Sequence, residues 1–216
     1  EPARRMVLPN GIDVDHFAPA TPRERKELRK RLGLGSEFVA VYTGRLASEK
    51  RLDRVLRAWP AVTDASPDAR LLIVGDGPEA ETLRTLAPAH VRFEGVTDDV
   101  LPYLQVADVF VLTSDFEGVS CALLEAQAAG LPAVVTDVGA ARSIIDHGVN
   151  GYVVDVDDDA SLEKHLVVFA CDSEAVHAMG AAARSAATTH YSLDTVVSAL
   201  RNVYVDVAGQ ESPCSR

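Results

Sequence analysis

Val109-Phe110-Val111-Leu112 is followed, two residues on, by Asp115-Phe116-Glu117-Gly118-Val119-Ser120-Cys121-Ala122-Leu123-Leu124-Glu125-Ala126. Four successive apolar residues without polar alternation fit a parallel strand covered on both faces. A glycine turn then leads into an apolar helical run, predicted over 118–129. The same unit recurs. Phe38–Thr43, Leu71–Val74, Val91–Phe93, Ala133–Val135 and Tyr152–Val154 read as further strands. Helical patterns lie between them near 49–65, 79–87, 98–106 and 139–146. Short connections between alternating strands and helices imply βαβ units, hence an α/β fold with a doubly wound parallel sheet of about six strands and helices on both faces. Beyond Val154 the pattern turns wholly helical, over 159–171, 174–188 and 193–206. Residues 208–216 read as a frayed tail. The Met6-Val7-Leu8 stretch looks like a strand at an abrupt start, as in a piece of a longer protein.

In open α/β sheets, ligands bind beyond the carboxyl ends of the strands. Two constellations sit there. Gly44-Arg45-Leu46-Ala47-Ser48-Glu49-Lys50 follows one strand and enters a helix. Gly44 permits close backbone approach, and Arg45 with Lys50 places two cations where a diphosphate would suit. The second is the opening stretch. Its first-turn N–H groups lack helical partners and can meet an anion. Eight residues span about 12 Å along a helix. Glu117 and Glu125 could thus bracket a diphosphate, one accepting sugar hydroxyls and the other ribose hydroxyls. The plainer alternative makes Glu117 a helix-dipole partner and Glu125 an exposed helical residue.

Composition narrows the partners. The 216 residues carry 32 acidic and 21 basic side chains, a formal charge of -11, with 47% hydrophobic residues. Such a surface repels nucleic acid and anionic membranes, so an anionic ligand needs local cations. The basic segment 21–32, with Arg23, Arg25, Lys26, Arg29, Lys30 and Arg31, reads as a solvated helix face or a contact with another domain. Cys121, Cys171 and Cys214 form neither a disulfide framework nor a zinc motif, which fits a reducing cytosol. Cys121 is expected as a small packing residue and His147 as a turn residue. Apolar stretches are strand-length, so no membrane span is expected.

The motif Glu117-Gly118-Val119-Ser120-x-Ala122-Leu123-Leu124-Glu125-Ala126 resembles the E-x7-E signature of retaining glycosyltransferases of the GT-B fold, family 4, also called glycosyl transferases group 1. The resemblance extends through Leu8-Pro9-Asn10-Gly11-Ile12-Asp13 with Phe17, Gly44-Arg45-Leu46 with Glu49-Lys50, Ile73-Val74-Gly75-Asp76-Gly77-Pro78 and Phe93-Glu94-Gly95. It continues in Gly130-Leu131-Pro132-Ala133-Val134 and Gly148-Val149-Asn150-Gly151. It implies a Rossmann-like C-terminal, donor-binding domain over residues 1–207, the N-terminal acceptor domain being absent. Arg45 and Lys50 would hold the donor diphosphate, Glu117 would lie beside the transferred sugar, and Glu125 would bind the ribose. Val119, Ser120 and Cys121, after Gly118, would offer backbone N–H groups, and Gly95 with Val96 would lie against the base. The substrate would be a UDP-, GDP- or ADP-linked sugar, with no cofactor and no metal. The expected setting is the cytoplasm or the inner face of the membrane, any membrane contact falling to the other half. The chain alone would not turn over; a non-catalytic nucleotide-sugar-binding module or a split-enzyme subunit is the alternative.

Two motifs compete with that assignment. Gly75-Asp76-Gly77-Pro78-Glu79-Ala80, with Glu94, mimics an NAD fingerprint, though Asp76 and Glu79 would crowd a pyrophosphate. Asp155-Val156-Asp157 mimics a metal-binding D-x-D but precedes a helix, where capping is expected.

Overall fold

The computed structural model describes residues 9–209, and side-chain surroundings for residues 9–205. The strand-like Met6–Leu8 stretch and Cys214 lie outside them. The elements run α1 (Pro22–Arg31), β1 (Val39–Thr43), a 3-10 turn (Ser48–Lys50), α2 (Leu52–Ala65), β2 (Arg70–Val74), α3 (Ala80–Leu86), β3 (Val91–Gly95) and α4 (Leu101–Val106). Then come β4 (Val109–Leu112), α5 (Cys121–Ala128), β5 (Ala133–Thr136), α6 (Ala141–Ile144), β6 (Gly151–Val154), α7 (Asp159–Cys171), α8 (Ser173–His190) and α9 (Leu193–Gly209). α9 passes the expected boundary at 207 by two residues; the rest of the expected tail lies outside the described residues.

All six expected strands form, and every pairing is parallel. The strand order is β3-β2-β1-β4-β5-β6. From β1 the chain moves outward through β2 and β3, then returns to the other side of β1 and moves outward through β4, β5 and β6. Right-handed crossovers in opposite directions place helices on opposite faces. Accordingly α2 packs with α3 and α7, while α5 packs with α8 and α1 with α4. Val39, Ala40, Val41, Phe110, Val111, Val134 and Val135 have no exposed surface, as both-face coverage requires. α2 turns Leu52, Val55, Leu56, Trp59 and Val62 into the core at helical spacing.

Four helical expectations shift. The 98–106 run becomes helix only at Leu101. The 49–65 run breaks at Arg51, which is left-handed (φ 48°) and separates the 3-10 turn from α2. The 118–129 run becomes helix only at Cys121. The 139–146 run shrinks to Ala141–Ile144. The basic segment also differs from a wholly solvated face. Arg29 is buried and donates to the carbonyls of Val106 (2.9 Å), Gly35 (3.1 Å) and Glu37 (2.8 Å) and to Asp108 (2.8 Å). Arg25 also pairs with Asp108, at 2.7 Å.

Candidate functional site

The strand order reverses between β1 and β4, the place where a doubly wound sheet leaves a crevice beyond its strand ends. The loops after those two strands carry the candidate residues and are tied together. Asp115 N–H donates to the Glu49 carbonyl at 2.8 Å. Thr113 Oγ1 donates to the carbonyl of Arg51 at 2.9 Å. Across the crevice Lys50 Nζ meets Glu117 Oε1 at 2.7 Å, with side-chain exposures of 21% and 12%. Glu117 thus has a cationic partner rather than serving only a helix dipole.

Arg45 lies exposed in the turn after β1 and makes no ion pair among the described residues. Its backbone is fixed from below. The buried Tyr42 donates its hydroxyl to the Arg45 carbonyl at 2.9 Å. Burial, with Glu117 and Glu49 nearby, pushes the Tyr42 pKa upward and keeps that hydroxyl a donor. Gly44 N–H bonds to Val74, Leu46 N–H to Asp76 and Glu79 N–H to Leu46. Gly75, at φ 134°, approaches so closely that an added Cβ would stand 1.9 Å from the Gly44 carbonyl oxygen. The NAD-like glycine loop therefore buttresses the Arg45 loop. Its distal acid, Glu94, is engaged by Arg92 at 2.8 Å.

Gly95 ends β3 at φ 77° and accepts Gly75 N–H at 2.7 Å. Val96 follows it with 76% of its surface exposed. Arg45, Lys50, Gly95 and Glu117 therefore occupy the ends of strands within one run of four, β3-β2-β1-β4.

The loop before α5 corrects the helical spacing of the two glutamates. Glu117, Gly118, Val119 and Ser120 precede the helix, so the rise of about 12 Å that eight helical residues would give does not apply. Ser120 is the N-cap, accepting Leu123 N–H at 3.3 Å. The N–H groups of Val119, Ser120 and Cys121 donate to nothing among the described residues. They are the open N-terminal end of α5, where helix N–H groups lack partners within the helix. Gly118 and Val119 are exposed, and Gly139 backs the loop: an added Cβ there would lie 2.3 Å from the Gly118 carbonyl oxygen. Cys121 is exposed, not packed, with Asn10 Nδ2 at 3.7 Å from its sulfur. Glu125 is half-buried one helical turn farther on, its carboxylate with no hydrogen bond or ion pair among the described residues. Burial raises its pKa, and His16 opposes that.

Several supporting residues escape a reading of motifs. Arg54, 4% exposed, and Arg51 hold the Asp115 carboxylate at 3.0 and 2.9 Å. Ser114, fully buried, donates to Glu117 Oε1 at 2.7 Å. Its one sequence signal is a hydroxyl three residues ahead of Glu117. Asp158, rather than Asp155 or Asp157, caps α7, accepting Ser161 N–H at 2.9 Å. Asp157 instead faces Arg54 at 3.7 Å. His147, expected in a turn, instead forms an isolated bridge to Gly151 just ahead of the 148–150 turn, its ring against Tyr152 and His165.

Known proteins match this architecture. The GDP-mannose-dependent alpha-(1-6)-phosphatidylinositol monomannoside mannosyltransferase of Mycobacterium tuberculosis H37Rv is 37% identical over 89% of the chain, which covers 54% of that protein. The crystal structure of Anabaena HepE in complex with UDP superposes with a TM-score of 0.84 at 22% identity, over 93% of this chain and 57% of that one. The C-terminal domain of the group 1 glycosyl transferase LpcC from Francisella tularensis, crystallised by itself, gives 0.77 at 21% identity, over 85% of this chain and all of that one. The chain spans about half the length of the curated relatives it matches. Residues 37–172 match the family described as Glycosyl transferases group 1, and the chain belongs to that family.

Proposed function

We propose that this chain is the donor-binding half of a retaining glycosyltransferase that moves a hexosyl group from a nucleotide sugar to an acceptor hydroxyl. The observation that carries it is the meeting of Lys50 and Glu117 across the β1/β4 crevice, beside Arg45, which has no ion pair among the described residues, and the open end of α5. Two cations and helix-end N–H groups there suit a diphosphate and the negative charge that grows on it as the glycosidic bond breaks. Glu117 would receive hydroxyls of the transferred sugar, Glu125 those of the ribose, and the Gly95-Val96 turn would face the base. Strand spacing puts the β3 and β4 ends about 14 Å apart, room for an extended donor.

GDP-mannose is the first donor to test, because the Mycobacterium relative named above uses it; the UDP bound to HepE makes UDP-sugars the next. The acceptor would be met by a second half, and no metal or cofactor enters the scheme. Among the described residues no single helix is long and apolar enough to cross a membrane, and a cytoplasmic site of glycan synthesis is part of the proposal.

Calorimetry with GDP-mannose, UDP-glucose and ADP-glucose, with and without EDTA, tests this. One donor should bind with a Kd between micromolar and millimolar, unaffected by EDTA, and Arg45→Ala should weaken GDP or UDP about tenfold while sparing the bare nucleoside. Binding of NADH with none of these donors would overturn it.

A further inference from the structure

Lys50 has two claims on it. In the donor site proposed above it serves the diphosphate, yet here it neutralises Glu117 at 2.7 Å. Two anions compete for one ammonium, and a Glu117 carboxylate only 12% exposed cannot rely on water when Lys50 turns away. A second donor is already in place. Ser114 Oγ lies 2.7 Å from Glu117 Oε1, the same oxygen that Lys50 uses. Oε2 accepts from no donor among the described residues.

Ser114 is itself immobilised. It has no exposed surface, and its carbonyl accepts Thr136 Oγ1 at 2.6 Å. The next residue, Asp115, is tied by its N–H to Glu49 and by its carboxylate to Arg51 and Arg54. Lys50 is a long, flexible cation; Ser114 is a short hydroxyl on a fixed backbone. Of the two, only the hydroxyl can hold Glu117 throughout binding.

We propose that Ser114 is a positioning residue of the donor site: its hydroxyl anchors Glu117 through Oε1, so that Oε2 stays presented to the transferred sugar when Lys50 shifts to the diphosphate. The inference rests on the donor-site reading. Without the hydroxyl, a diphosphate drawing Lys50 away would leave a desolvated carboxylate unpaired and rotationally free, and both effects weaken donor binding.

The test is calorimetry on the whole chain with GDP-mannose, or with UDP-glucose if that is the donor bound. Ser114→Ala should weaken the nucleotide sugar about five- to tenfold and leave guanosine or uridine unchanged. In a Glu117→Ala background the same substitution should cost less than about twofold, because nothing remains to be positioned. Ser114→Thr, which keeps the hydroxyl, should restore most of the affinity. An unchanged affinity in Ser114→Ala, or an equal loss with and without Glu117, overturns the proposal by making Ser114 irrelevant or merely structural. Should Ser114→Ala not melt cooperatively, Ser114→Cys replaces it, filling the space with a feeble donor. If the unsubstituted chain binds no nucleotide sugar, the donor-site reading falls first and this inference with it.

Discussion

On α5, Glu125 answers to folding and to binding in opposite senses. Its carboxylate is half-buried without a hydrogen-bond donor among the described residues, and burial raises its pKa above the ordinary 4.5. A carboxyl whose folded value is raised binds its proton more readily in the folded state. Its contribution to stability is therefore whole below the unfolded value and is lost as pH rises through the folded one. At pH 7 the charged group is a liability. Glu125→Gln should stabilise the free chain, by no more than the roughly 0.5 kcal/mol usual for partly exposed substitutions. Urea midpoints at pH 7 and pH 4 check this, the gain disappearing at the lower pH. The same variant should bind the nucleotide sugar more weakly if Glu125 meets the ribose.

Among the elements, α1 shows most clearly how position divides like residues. Lys26 and Lys30 are exposed, whereas Arg29, on the same helix, is buried and joins α1 to the carbonyls of Gly35, Glu37 and Val106 and to the Asp108 carboxylate. Asp108 also accepts Val39 N–H at 2.8 Å, so the guanidinium stabilises the entry into β1. An ammonium cannot reproduce those four directed bonds. Arg29→Lys should lower unfolding free energy by about 2–3 kcal/mol, and Lys30→Ala by less than about 0.5 kcal/mol, both read from urea denaturation. The loops at the strand ends follow the same logic in backbone terms. Gly75 and Gly139 are small because another loop's carbonyl occupies the space a side chain would take.

For the molecule as a whole, the proposed site for an anionic donor has to work within a chain of charge -11. The topology gathers Arg45, Lys50 and the N–H groups before α5 at one crevice, where Glu117 is paired with Lys50 and Asp115 with Arg51 and Arg54. Attraction is therefore local, and polyanions that need a broad basic surface are excluded. Fluorescence anisotropy with a labelled DNA duplex at about 150 mM salt should show no binding up to about 10 µM chain. α9 adds an apolar stripe, with Leu193, Val197 and Tyr204 at 47%, 59% and 68% exposure.

The amino-acid sequence by itself determined the six strands, their parallel sense and the collection of candidates on one sheet edge. Apolar runs and glycine turns are local signals, and βαβ connectivity carries them into topology. The family signature likewise rests on local spacing. What only the tertiary structure decided is who meets whom. The pairing of Lys50 with Glu117, 67 positions apart, needs the reversal between β1 and β4. The burial of Arg29 and the fixing of Asp115 by Arg54 depend on segments that no periodicity links. Helix starts also moved, at Cys121 and Arg51, because caps and left-handed turns answer to neighbouring loops rather than to hydrophobic pattern. Ser114 looks like an unremarkable hydroxyl at a strand end; packing puts it on the carboxylate.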